Sequence, residues 1–332
     1  MKQLTRHALR CLLPGKKRKP RALWGQTGVA AWALGWLWPA LALAVFYSQG
    51  WQTLRVAQAV IQYRTVDERV ALQIGRWYRQ AQPRFEKFYG PIQIKPFRIV
   101  VSSPLAFRKM MAQAGLPEWV QAVFLSQERT ILVKSPREEG NMDQLAQDFV
   151  HELAHLYTLD CYGNTSVPVW YNEGFSEYLS QGQISIHQAI VLANALWSKR
   201  LIPLMAMEDL MHFNHNEAQL AYLEALSAVR YLEQLFPPDF SWPKFHALVA
   251  TKGWKQTLQQ ATGLDEVDFQ VKWYQHIRNR YRWMILLNLE NFLWFGLLFV
   301  FVVIFLLIRR RNRKRLRLWE LEEQVFPDEW EL

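Results

Sequence analysis

Eighteen residues from Asn291 to Ile308 carry no charge, and seven of the nine that follow, Arg309 to Arg317, are Lys or Arg. A run this apolar leaves few options. Lipid offers no partners for backbone N–H and C=O groups, so a single crossing segment has to be helical. With Trp283 to Leu289 leading into it, the stretch is long enough to cross with some tilt, and residues 283–308 are expected to form a transmembrane helix. A second uncharged stretch runs from Ala22 to Leu54, with its most apolar part from Val29 to Tyr47 despite Pro39. It predicts a membrane span at 24–47. Its long basic lead, its length and the poor cleavage site at Val45 to Gly50 favour an anchor that is retained over a cleaved signal.

The net charge of +10 invites a nucleic-acid reading, which its distribution removes. Residues 1–23 hold eight basic residues and no acid, residues 309–332 hold seven basic and six acidic, and the middle holds 24 basic and 23 acidic. The excess therefore abuts the two apolar segments. By the positive-inside rule both termini face the cytoplasm and the middle lies outside, so the expected partners include membrane lipid and exclude nucleic acid. Cys11 falls in the basic arm and Cys161 in the middle, so no disulfide joins them.

Within that neutral middle, His151-Glu152-Leu153-Ala154-His155 is an HExxH pattern. Leu145, Phe149, Leu153 and Leu156 recur at helical spacing, Asp143 stands near the start and Gly163 follows the end. On a helix the two imidazoles share a face and can hold one Zn²⁺, and Glu152 beside them suits a general base acting on water that the ion acidifies. The run Trp170 to Tyr178 reads as a second helix, able to bring Glu173 to the same ion as a third ligand.

These residues resemble the gluzincin metallopeptidases, and most closely the peptidase MA-like family, a relative of the aminopeptidase N group. The resemblance rests on HELAH at 151–155, PVWYNEGFSEY at 168–178 and AYLEALSAVRYLEQL at 221–235. It implies zinc held by His151, His155 and Glu173, catalysis by Glu152, an oxyanion-stabilising phenol at Tyr222, nine residues before Tyr231, and a carboxylate at Glu177 supporting a histidine ligand. The substrate it implies is a peptide or protein. A non-catalytic zinc-fold scaffold is the alternative. The string Gly140-Asn141-Met142-Asp143-Gln144 is the nearest match to the segment with which aminopeptidases grip a free amine. It lies too close to His151 and is expected to cap the metal helix, so no aminopeptidase specificity is inferred.

The expected architecture is α+β: a zincin catalytic domain at 51–282, with a small mixed sheet in an α/β lobe at 51–140 and a helical lobe at 141–282, between two transmembrane helices. Residues 51–89 read as helix, Ile92 to Val101 as a strand, and Ala122–Ser126 with Arg129–Lys134 as a strand pair, the latter strand at the sheet edge. Cys161 reads as a small packed residue, His212 and His215 as a surface pair, and His187, His246 and His276 as isolated histidines of helices.

Overall fold

The structure is a computed structural model, and it describes residues 50–116, 120–137, 141–287 and 289–325. The described residues divide into two compact units, one containing those from 50 to 184 together with 202–274, the other 185–201 and 275–325.

The first unit is mixed α and β with a helical majority. Strands β1 (Trp51–Val56) and β2 (Ala59–Arg64) form an antiparallel hairpin, followed by helix α1 (Glu68–Tyr89). The hairpin corrects the helical reading of residues 51–64. Val56 pairs with Ala59 across a two-residue loop in which Ala57 has φ +47°. Gly or Asn usually marks such a loop; Ala57-Gln58 carries no such mark. Strand β3 (Phe97–Ser102) starts after Pro96, five residues later than expected. Helix α2 (Pro104–Ala114) then leads to the hairpin of β4 (Ala122–Leu125) and β5 (Thr130–Lys134).

The sheet order is β1-β2-β3-β5-β4, with β2, β3 and β5 parallel and both outer pairs antiparallel. Strand β5 is therefore interior, which overturns its assignment as the edge. Four successive residues, Thr130 to Val133, are buried, as a strand covered on both faces requires. The edge strand on this side of the sheet is β4, whose Phe124 pairs with Ile131, and β1 forms the opposite edge. Arg129 at the hairpin turn makes two 2.7 Å bonds to Asp160 of the metal helix and also donates to the carbonyls of Lys95 and Pro96. This clamp ties the β4–β5 hairpin to that helix.

Helix α3 (Met142–Tyr162) packs against α1, β4 and β5, and α4 (Val169–Ser180) packs against α3 and α6 (His215–Gln234). Helices α7 (Trp242–Lys252), α8 (Trp254–Thr262) and α9 (Glu266–Tyr281) follow. Rings of Trp170, Tyr171, Phe245, Trp254 and Phe269 meet at centroid separations of 4.5 to 5.9 Å and form the aromatic core under α4.

The second unit holds α5 (Ile186–Trp197), the end of α9, a 3-10 turn at Arg282–Leu287 and α10 (Leu289–Val325). Residues Leu293–Leu321 of α10 form, among the described residues, the one helix long and apolar enough to cross a membrane, with mean hydropathy 2.3 in its most apolar window and none of that window buried. The expected span at 24–47 lies outside the described residues.

Candidate metal centre

Helix α3 carries the centre because its sequence separates two faces. Leu145, Phe149, Leu153 and Leu156 are buried, while His151 and His155 come to the neighbouring face with side chains 12% and 14% exposed. Asn141 starts the helix: its side-chain oxygen accepts from the N–H groups of Asp143 at 2.9 Å and Gln144 at 3.4 Å, the cap expected of this segment. Lower down, the Tyr89 hydroxyl donates to the carbonyl of Ala154 at 3.1 Å and meets Thr158 Oγ1 at 2.8 Å.

Helix α4 brings Glu173 to the histidines through a close crossing with α6. A Cβ placed on Gly174 would lie 2.3 Å from the carbonyl oxygen of Ala225 and 3.0 Å from Val229 Cγ2. Only glycine fits that crossing. The Nε2 atoms of His151 and His155 are 3.1 Å apart, and Glu173 Oε2 lies 3.2 Å from the first and 3.4 Å from the second. Three donors bound at about 2.0–2.2 Å around a tetrahedral ion stand roughly 3.3–3.5 Å from one another. The triangle has the size, and two nitrogens and a carboxylate oxygen have the chemistry, of a three-ligand zinc site.

The outer nitrogens of both imidazoles are also engaged. Glu177 Oε1 lies 3.1 Å from His151 Nδ1, and its other oxygen accepts from Gln181 Nε2. Buried Ser176 donates to the carbonyl of Asn172 at 2.9 Å, leaving a lone pair toward His155 Nδ1 at 3.3 Å. Both contacts assign the ring proton to Nδ1 and direct the Nε2 lone pairs inward. Ser176 was not singled out from sequence. Its only signal is its place three residues after Glu173, on the same turn.

Glu152 accepts a 2.6 Å bond from the Phe124 backbone N–H of edge strand β4, an interaction that no side-chain pattern encodes. Burial raises the Glu152 carboxyl above its ordinary range, partly offset by the nearby histidines. Burial opposes ionisation of Glu173 too, but His155 and His151 outweigh it and hold this group as a carboxylate. For His151, burial favours the neutral ring, yet bonds and charges from Glu173 and Glu177 raise its pKa well above the ordinary value; His155 is raised as well, chiefly by Glu173 against burial. These carboxylates favour positive charge at the imidazoles. A dication supplies it without occupying the Nε2 lone pairs with protons.

Tyr222 of α6 stands edge-on to His151, with ring centroids 6.0 Å apart. Burial, then the charges of Glu173, Glu152, Glu177 and Asp148, raise its hydroxyl above the ordinary tyrosine range, so it remains a donor. Thus His151, Glu152, His155, Glu173, Glu177 and Tyr222 come together. Tyr231 packs instead on Phe269. His212 ends a 3-10 turn and His215 opens α6, while His246 is fully buried against Tyr162. Cys161 is half-buried and free, its thiol pushed by burial up to about 11.

The Peptidase MA superfamily model matches residues 89–279, more than half of the chain and all of this centre. The chain belongs to the peptidase MA superfamily. Membership places it among peptidases, whose expected metal fits the cluster of His151, His155 and Glu173. Among curated proteins, none matches its sequence. Among solved structures it is similar to yeast LTA4 hydrolase in complex with Bestatin, at 14% identity and a TM-score of 0.37, over 70% of this chain and 38% of that one.

Proposed function

We propose that this superfamily member is a membrane-anchored zinc metallopeptidase that hydrolyses peptide bonds outside the cytoplasm. The observation carrying the catalytic part is the donor triangle of His151, His155 and Glu173, with sides of 3.1, 3.2 and 3.4 Å. His151, His155 and Glu173 would hold the zinc, which when bound would acidify a water molecule and polarise the substrate carbonyl. Glu152 takes the proton from the attacking water and delivers it to the departing amine, so the peptide C–N bond breaks as a new C–O bond forms. Tyr222 donates a hydrogen bond to the oxyanion that develops on the carbonyl. Glu177 and Ser176 hold the two imidazoles in the ligating tautomer.

The membrane part rests on the exposed apolar helix Leu293–Leu321 and the basic residues that start at Arg309. Full-length protein in detergent, given a peptide library, should cleave, and the Glu152→Gln form should keep zinc and lose turnover. Cleavage retained by Glu152→Gln would remove the general-base assignment. Zinc bound at one per chain with no cleavage by either form would favour the scaffold reading.

A further inference from the structure

The second unit presents a surface of its own. Helix α5 packs on the 3-10 turn at Arg282–Leu287, and Trp197 at its end donates from Nε1 to the carbonyl of Arg282 at 3.0 Å. That bond fixes the indole, yet the residue remains 61% exposed, and neighbouring Trp283 is 64% exposed. The Arg282 guanidinium lies 5.0 Å from the Trp283 ring centroid. Within the two segments that carry the indoles the charge has one sign. Residues 185–201 and 275–287 contain Lys199, Arg200, Arg278, Arg280 and Arg282, all exposed, and no Asp or Glu.

Three considerations specify what covers this surface. Indoles combine an apolar ring with one N–H and settle at the membrane–water boundary. Helix α10 begins at Leu289, about 6 Å of helical rise before its membrane-crossing stretch opens at Leu293; that distance matches a headgroup layer of roughly 5–8 Å. Basic residues beside a span on the non-cytoplasmic side also run against the charge bias that orients it, and anionic headgroups at that depth would offset their charge.

We propose that the ends of α5 and α9 and the Arg282–Leu287 turn form an interfacial platform for anionic lipid, with Trp197 and Trp283 at headgroup level and basic residues of these segments paired with lipid phosphates. The proposal rests on the membrane anchoring stated above. Its occupant is an anionic phospholipid headgroup, and its effect is to hold the second unit flat against the bilayer instead of on a free-standing stalk.

The test uses the full chain with Cys11 and Cys161 replaced by Ser, reconstituted in vesicles of phosphatidylcholine with one quarter phosphatidylglycerol. Nitroxide labels are placed singly by Phe299→Cys, Trp197→Cys and Trp283→Cys, and their collisions with oxygen and with a water-soluble nickel chelate are measured by electron paramagnetic resonance. Label 299 reports the anchor: nickel-accessible behaviour there would overturn the membrane reading itself. With label 299 in lipid, labels 197 and 283 should show oxygen-to-nickel ratios between that of label 299 and that of a label in water. A water-like ratio at both would overturn the platform, and shielding from both probes would mean that protein covers the surface, which also overturns it. Because the labels replace the tryptophans, a second variant keeps them: Arg278→Gln with Arg280→Gln and Arg282→Gln. Native mass spectrometry should show a severalfold loss of retained phosphatidylglycerol in this variant against no change for phosphatidylcholine. Equal retention would overturn the anionic pairing.

Discussion

Glu177 Oε1 lies 3.1 Å from the Nδ1 of His151, on the side of the ring away from Glu173. One helix thus supplies both a metal-side carboxylate and, a turn later, the carboxylate that orients the histidine. Ser176, between them, does the same for His155 through its hydroxyl. Loss of such a partner typically lowers metal affinity by about 10–100-fold. Glu177→Gln and Ser176→Ala should each weaken zinc binding in that range in a chelator competition, with Glu177→Gln the larger because a charge is lost. Unchanged affinity in both would make these contacts incidental to the metal.

Tyr222 tests the oxyanion role. Removing its hydroxyl in Tyr222→Phe should lower kcat by about 100-fold, the scale of one lost oxyanion donor, with little change in KM or zinc content. A KM effect alone would assign Tyr222 to substrate packing.

Gly174 tests the helix crossing that brings Glu173 into place. In Gly174→Ala the added methyl meets backbone atoms of Ala225 that cannot yield independently. Overpacking of this kind costs about 1–3 kcal/mol, so the melting temperature should drop by several degrees and zinc affinity should fall with it. A variant as stable as the parent would show that α4 and α6 can separate freely.

Two buried groups set opposite slopes of stability with pH. Burial lowers His246 to about 3, so between its ordinary 6.5 and about 3 the unfolded chain binds the extra proton and stability falls as pH falls. Burial raises Glu224 to about 9, despite the bond its carboxylate accepts from the Ile202 N–H. Between its ordinary 4.5 and about 9 the unfolded chain releases the proton first, and stability falls as pH rises. Glu224→Gln should therefore gain melting temperature over the parent at pH 8 and little at pH 4.5, whereas His246→Asn should flatten the acid side. Melting curves that shift in parallel at all pH values would contradict both assignments.

Much of this centre was readable because its chemistry is local. Helical spacing puts His151 and His155 on one face, and Glu173 recurs on the next helix at a spacing that the family resemblance explains. The Asn141 cap follows from residue type and position. Sheet order is different in kind: the edge position belongs to β4 because β5 pairs with both β3 and β4, and no single strand encodes its neighbours. The unbroken apolar run Ile131-Leu132-Val133 was nonetheless a sign of an interior strand. The β1–β2 hairpin escaped because Ala57 adopts a positive φ with no glycine to advertise it. The Phe124 N–H bond to Glu152 was beyond reach for a third reason, since every residue has that donor and only tertiary packing selects one.

The most direct test of the account is zinc content. Full-length protein purified without chelator and measured by plasma mass spectrometry should carry one zinc per chain, and Glu173→Gln, if equally folded by circular dichroism, should carry far less. A folded parent chain that binds no zinc at micromolar concentrations of the ion would contradict the metal centre, and with it the proposed peptidase chemistry.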